Sequence, residues 1–161
     1  MTKRLTRRAW LALALALALP SDTVLAQAAG EPQPILEQEP LTIETAAGPV
    51  GFLVEMARSP AEQSRGLMFR TLVPPGTGML FVHERPRQVS MWMRNTPTSL
   101  DMLFIDAAGI IESIAERTTP YSEAVISSEG PVAGVLEILA GEAERLGIAE
   151  GDRVRHPHFG D

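Results

Sequence analysis

Beyond residue 40, every apolar run in this chain is soon cut by glycine, proline or a polar turn cluster, and that punctuation is what most limits the fold. Short β-prone runs cover residues 41–46, 50–57, 79–82, 88–93, 100–106, 110–116, 124–127, 132–139 and 152–156. Gly48 and Pro49 separate the first two as a hairpin would. Ser59, Pro60 and Glu62 form a capping box that opens a helix running to Phe69, and residues 140–146 form a second, short helix stopped by Gly147. About eight short strands and two helices, with no regular βαβ crossovers, predict a mainly β (α+β) domain, a compact sandwich or barrel rather than a doubly wound sheet.

Ahead of this domain, Lys3, Arg4, Arg7 and Arg8 precede the apolar residues 9–19, and small residues follow at Val24, Ala26 and Ala28. This is the pattern of a cleavable export signal over residues 1–26. The apolar stretch falls short of the roughly 20 residues that cross a bilayer, so no span is expected after cleavage. Arg7 and Arg8 also fit a twin-arginine start, and the expected location is the periplasm or the outside of the cell. Residues 27–40, with Pro32, Pro34, Pro40 and three glutamates, are expected to be a flexible linker, leaving residues 41–161 as a single domain.

No cysteine is present, which excludes a disulfide framework, a lipid-modified cysteine and a thiolate nucleophile. The net charge is −6, and removal of residues 1–26 takes away four basic side chains and one acidic one. Such an acidic chain is not suited to a phosphate backbone, and nucleic acid is not an expected partner.

Two segments stand out, RGLMFR at residues 65–70 and MWMRNTPTSLDMLFID at residues 91–106. Together with Leu80 and Phe81, VLEI at 135–138 and LGIAEGDRV at 146–154, they resemble the domain of unknown function 192 family across residues 41–158. The resemblance implies a small, often exported, mainly-β domain, and no established activity comes with it. The chain departs from the family pattern at Ser99, where a proline often precedes the Leu-Asp pair; here the proline is Pro97.

Arg65, Arg70, Arg94, Asn95, Thr96, Asp101 and Asp106 are the candidate ligand-binding set, in which guanidinium groups grip an anionic group and Trp92 offers a stacking face. The plainer reading of the same residues pairs Arg65 or Arg70 with Asp101 and has Asn95 and Thr96 cap a turn. Met91 and Met93 form a Met-x-Met pair of the kind that binds Cu(I), but methionine also fills apolar cores, and neither a metal nor any other cofactor is expected. His83, His156 and His158 lack zinc-site spacing, the last two at an expected frayed terminus. No catalytic signature is present. The sequence therefore favours a monomeric or weakly associating module that binds a small anionic molecule or an envelope protein. Its rivals are an envelope-acting hydrolase using Asp101 or Asp106 as general acid or base, or Ser90 or Ser99 with His83, and a purely structural or interaction domain.

Overall fold

The computed structural model describes residues 30–160; the expected signal segment and its cleavage point lie outside the described residues. The elements in chain order are β1 (Gln38–Thr45), β2 (Gly48–Ala57), α1 (Pro60–Arg65), β3 (Thr77–Arg87), β4 (Ser90–Met91), β5 (Leu100–Ile105), β6 (Ile111–Ala115), β7 (Ile126–Ser127), β8 (Val132–Leu139), α2 (Glu142–Leu146) and β9 (Arg153–Arg155). A single-turn 3-10 helix, Pro157–Phe159, follows. The expected mainly-β domain with two short helices is what the chain forms.

Seven strands make one sheet in the order β6-β5-β8-β3-β2-β1-β9, and β4 with β7 makes a separate ribbon. The sheet curls until its outer strands meet. Ile110, just before β6, bridges Arg153 of β9, and Ile111 N–H donates to the Asp152 carbonyl at 3.0 Å while Val154 N–H donates to the Gly109 carbonyl at 2.7 Å. Closure removes the exposed strand edges that would otherwise invite aggregation.

Period-2 alternation gives each central strand two buried faces. Leu41, Ile43, Phe52, Val54, Met56, Leu80, Leu103, Ile105, Ile111, Leu136, Ile138 and Val154 form one cluster drawn from all seven strands, so they fill the barrel interior. Ala143 and Ile148 around α2, and Phe159, join the same cluster. On the outer face of β3, β5 and β8, Met79, Phe81, Leu100, Met102, Phe104, Val132 and Val135 form a second cluster, roofed by Leu67, Val73, Val89 and Met93. RGLMFR and residues 91–99 of the longer segment therefore belong to a cover laid over the outside of the barrel, while residues 100–105 are β5 itself.

The local differences from the sequence reading have physical causes. β2 and β3 are parallel, with Leu53 opposite Thr77 and Ala57 opposite Phe81, so one β-α-β crossover exists after all. Residues 58–76 supply the length that a parallel connection needs, although its helix is only six residues long. That helix ends at Arg65 rather than Phe69 because Gly66 turns the chain at φ 48°, and a Cβ there would meet the Phe81 ring at 3.0 Å. β1 begins at Gln38, inside the stretch read as linker; Pro40 is tolerated because β9 pairs only with Thr42–Glu44, leaving the flank of β1 beside Pro40 open. Ahead of it, the Gln33 side chain donates to the carbonyls of Glu62 and Gly66 at 3.2 and 2.9 Å, strapping the segment to α1. The C-terminal histidines are not frayed: His156 is buried against Glu39 at 3.0 Å, and His158 lies 2.9 Å from the Ala133 carbonyl.

Candidate functional site

A barrel whose lumen is packed with side chains has no room for a ligand inside, so a site must form on its outside. A cleft of about 320 Å³ opens where the outer face of β3 and β8 meets the cover. Gln63, Arg65, Gly66 and Met68 form one wall, Met91, Trp92 and Thr96 another, and Phe81, His83 and Glu137 come from the barrel.

Glu137 is the most unusual group in this cleft. On β8 it stands between Met79 of β3 and Met102 of β5, both fully buried. It is 4% exposed, and among the described residues its carboxyl has no hydrogen-bond or ion-pair partner. Burial alone pushes it up to about 8, so it is mostly protonated at neutral pH. His83, also buried, is pushed down to about 4 by desolvation and then by the nearby Arg87, whose guanidinium lies 3.4 Å from Nδ1. Its Nε2 is enclosed without a partner. The β3–β8 register shifts beyond Val82, where five steps on β3 match two on β8, and this irregular stretch carries His83 to Arg87 along the cleft rim.

The sequence candidates divide. Arg65, Trp92 and Thr96 do line this cleft. Arg65 stacks on Phe69 at 4.7 Å and donates to the Glu31 carbonyl. Trp92 is 47% exposed, with Arg94 over its ring at 4.6 Å, and Arg94 is itself paired with Glu123 at 3.1 Å. Thr96 is buried and donates to the Arg94 carbonyl at 3.2 Å, a local turn bond. Asn95 adopts a left-handed backbone at φ 56°, and its carbonyl accepts from Phe69 N–H at 2.7 Å. That bond ties the two motif segments together, and Phe69 is left-handed too, at φ 64°.

Arg70, Asp101 and Asp106 do not join them, and neither arginine pairs with Asp101. Arg70 grips Glu55 with two bonds of 2.7 and 2.9 Å in a nearly enclosed pair, and Glu55 also accepts from Leu36 N–H at 2.9 Å. Asp101 is fully buried on the opposite face of β5 from Met102 and accepts from the backbone N–H groups of Arg117, Gly141 and Ala143 at 2.8, 2.8 and 3.1 Å. It anchors the start of α2. Asp106 accepts from Ala108 and Ile110 N–H, both at 2.8 Å, in a turn. Strand pleating explains why the conspicuous Leu-Asp pair misled: it sends Asp101 away from the cover.

The soft and nucleophilic candidates are similarly occupied. The Met93 sulfur is buried and accepts from Thr118 at 3.2 Å, while Met91 lines the cleft, so the Met-x-Met pair does not present two free thioethers. Among the described residues no group of three or more His, Asp or Glu is placed to hold a metal ion. Ser90 lies 3.2 Å from Ser127, and Ser99 donates to the Thr118 carbonyl at 2.6 Å.

Glu137 was the cleft residue that sequence reasoning missed; His83, named from the sequence as a partner for Ser90 or Ser99, lines the cleft together with Ser90. The signal for Glu137 was present: it is the single charged residue within Val132–Leu139, a strand with no solvent-facing side.

The solved structures that resemble this fold include the following two. One, from Sinorhizobium meliloti 1021 and described as a "putative transcription regulator", is 44% identical, with a TM-score of 0.74 over 76% of this chain and 96% of that one. The other, a protein of unknown function from Novosphingobium aromaticivorans DSM 12444, is 38% identical, with a TM-score of 0.75 over 85% and 99%. No curated protein matches the chain. The family model for DUF192, described as "Uncharacterized ACR", matches residues 42–156, and with most of its domain matched in this way the chain belongs to the DUF192 family.

Proposed function

We propose that this protein is a binding module of the cell envelope, exported by its N-terminal segment, that takes a small molecule into the cleft between barrel and cover. The observation that carries this reading is the buried Glu137 carboxyl, which faces the cleft with no partner in the fold. A buried carboxyl left unpaired costs stability, and a cleft that retains one has a use for it. Arg65 supplies positive charge on the α1 wall, and Trp92 offers a half-exposed aromatic ring.

Hydrolysis through Asp101 or Asp106 draws no support from the geometry, because their carboxylates are occupied by backbone N–H groups away from the cleft. Glu137 itself has the protonation of a general acid, but among the described residues no second carboxyl lines the cleft to stand opposite as base or nucleophile. Regulation of transcription, the description attached to the S. meliloti protein, would call for a basic surface, and this chain carries a net charge of −6.

Native mass spectrometry on protein recovered from its own host's export compartment tests the reading. An organic adduct on the wild type that is lost in the folded Glu137→Gln variant is expected. A bare mass in both, with folded protein, would count against it.

A further inference from the structure

Among the described residues four acidic side chains are buried, and three of them have donors in the fold; the enclosed Oε2 of the half-buried Glu112 lacks one as well, but it sits against Gly130, outside the cleft. Glu55 is supplied by Arg70 and the Leu36 N–H. Asp101 is supplied by three backbone N–H groups. Glu142 receives Arg145 at 2.7 Å and the Gly76 N–H at 3.1 Å. Glu137, at 4% exposure, is the buried acid without a donor, and it is the one that lines a cleft. The fold holds no compact cation to give it, since Lys3 is the only lysine in the chain and lies ahead of the domain. The two guanidinium groups that line the cleft make no bond to it: Arg65 contacts Phe69 and the Glu31 carbonyl and Arg87 contacts His83, each through only part of its five N–H donors.

The cleft therefore has a carboxyl at its floor and cationic groups at its rim, Arg87 on the exposed stretch of β3 and Arg65 on the facing wall. Resting on the binding reading above, we propose that the ligand is a small zwitterion of the amino-acid or short-peptide class, its ammonium group seated on the Glu137 carboxyl and its acidic group held at the rim by Arg65 and Arg87. The volume of about 320 Å³ suits a molecule of that size. The ammonium hydrogens supply what Met79 and Met102 on either side cannot, and a lone carboxylate is too few ligands for a hard metal ion.

Seating an ammonium group requires Glu137 to give up its proton, so binding is coupled to proton release. The ionisable groups around it are His83 and Arg87 from β3 and Arg65 from α1; β5 contributes only Met102 beside it, and the cover segment adds no acid to the cleft. His83 stays neutral above its value of about 4, which leaves Glu137 as the group that titrates.

Isothermal titration calorimetry on the whole protein provides the test. The probes are the common amino acids and simple dipeptides, their N-acetyl derivatives, neutral hexoses and small dicarboxylates. At least one free zwitterion is expected to bind, its N-acetyl form and the Glu137→Gln variant each weakening binding about a hundredfold. The dissociation constant should fall about tenfold from pH 6.5 to 7.5, with a proton released to buffer. Tight binding of a hexose or dicarboxylate in preference to any zwitterion would overturn the inference while leaving the cleft reading intact. If none of the probes binds, the zwitterion is ruled out, and a bare native mass spectrum besides would remove the cleft reading as well.

Discussion

Glu137 and His83 sit in one cleft, and burial moves them in opposite directions. The folded state keeps a proton on Glu137 that the unfolded chain gives up between pH 4.5 and about 8. The stability it supports is whole below 4.5 and is lost as pH rises to 8. Replacing it with glutamine removes that loss: Glu137→Gln should match the wild type near pH 5 and melt at a higher temperature at pH 8.5, as differential scanning calorimetry would show. A lower melting temperature for the variant at pH 8.5 would mean that the carboxylate is paired in the folded protein. In the Glu55 and Arg70 pair, by contrast, both carboxylate oxygens have a guanidinium partner, with the two side chains only 7% and 11% exposed, although the Arg70 Nε stays enclosed without a partner. Arg70→Ala strands Glu55 and should cost about 3–5 kcal/mol in urea unfolding, whereas the double replacement Glu55→Leu with Arg70→Met should recover much of that loss. Equal losses in the single and double variants would refute this account.

At the scale of elements, α2 depends on a residue from another strand. Gly141, ahead of this five-residue helix, is left-handed and provides no side-chain cap, and Asp101 of β5 receives the N–H groups of Gly141 and Ala143 instead. Asp101→Asn turns one acceptor oxygen into an amide that faces N–H donors, and should lower stability by about 3 kcal/mol while leaving ligand binding in the surviving folded protein unchanged. A loss of binding without a loss of stability would restore Asp101 as a ligand group. The β3–β8 seam is equally demanding: a Cβ at Gly78 would overlap the Glu137 carbonyl oxygen, so Gly78→Ala should force these strands apart, lowering the melting temperature and distorting the cleft floor. Much of this level was legible from residue spacing. The capping box at Ser59, Pro60 and Glu62 forms as read, because its bonds are local. The runs at 88–93 and 124–127 shrink to two-residue strands because their backbones bond to loops, as where Met93 N–H donates to the Ser122 carbonyl at 2.9 Å. Partners distant in sequence, such as Glu55 for Arg70, leave no trace in local pattern.

For the whole molecule, alternation and turn chemistry predicted a mainly-β fold, but not that β3, β5 and β8 bury both faces. The cover over their outer face turns the motif segments into cleft walls and hides a titrating carboxyl beneath them. The pH dependence of global stability follows from that layering. His83, displaced from 6.5 to about 4, adds stability that is whole above 6.5 and is lost as pH falls, and His156, also lowered by burial, acts in the same sense. These effects oppose that of Glu137 at acid pH. Between 6.5 and 8 Glu137 acts without them, and stability should fall by about 2 kcal/mol over that window, a slope absent in Glu137→Gln. The central claim, that an unpartnered carboxyl forms the floor of a ligand cleft, is tested most directly by carbon-13 NMR of glutamate carboxyl groups, with the Glu137→Gln variant assigning the resonance. A Glu137 resonance titrating near pH 8 and shifting when a bound zwitterion is added is the predicted result; Glu137 titrating at its ordinary value of 4.5 would contradict it.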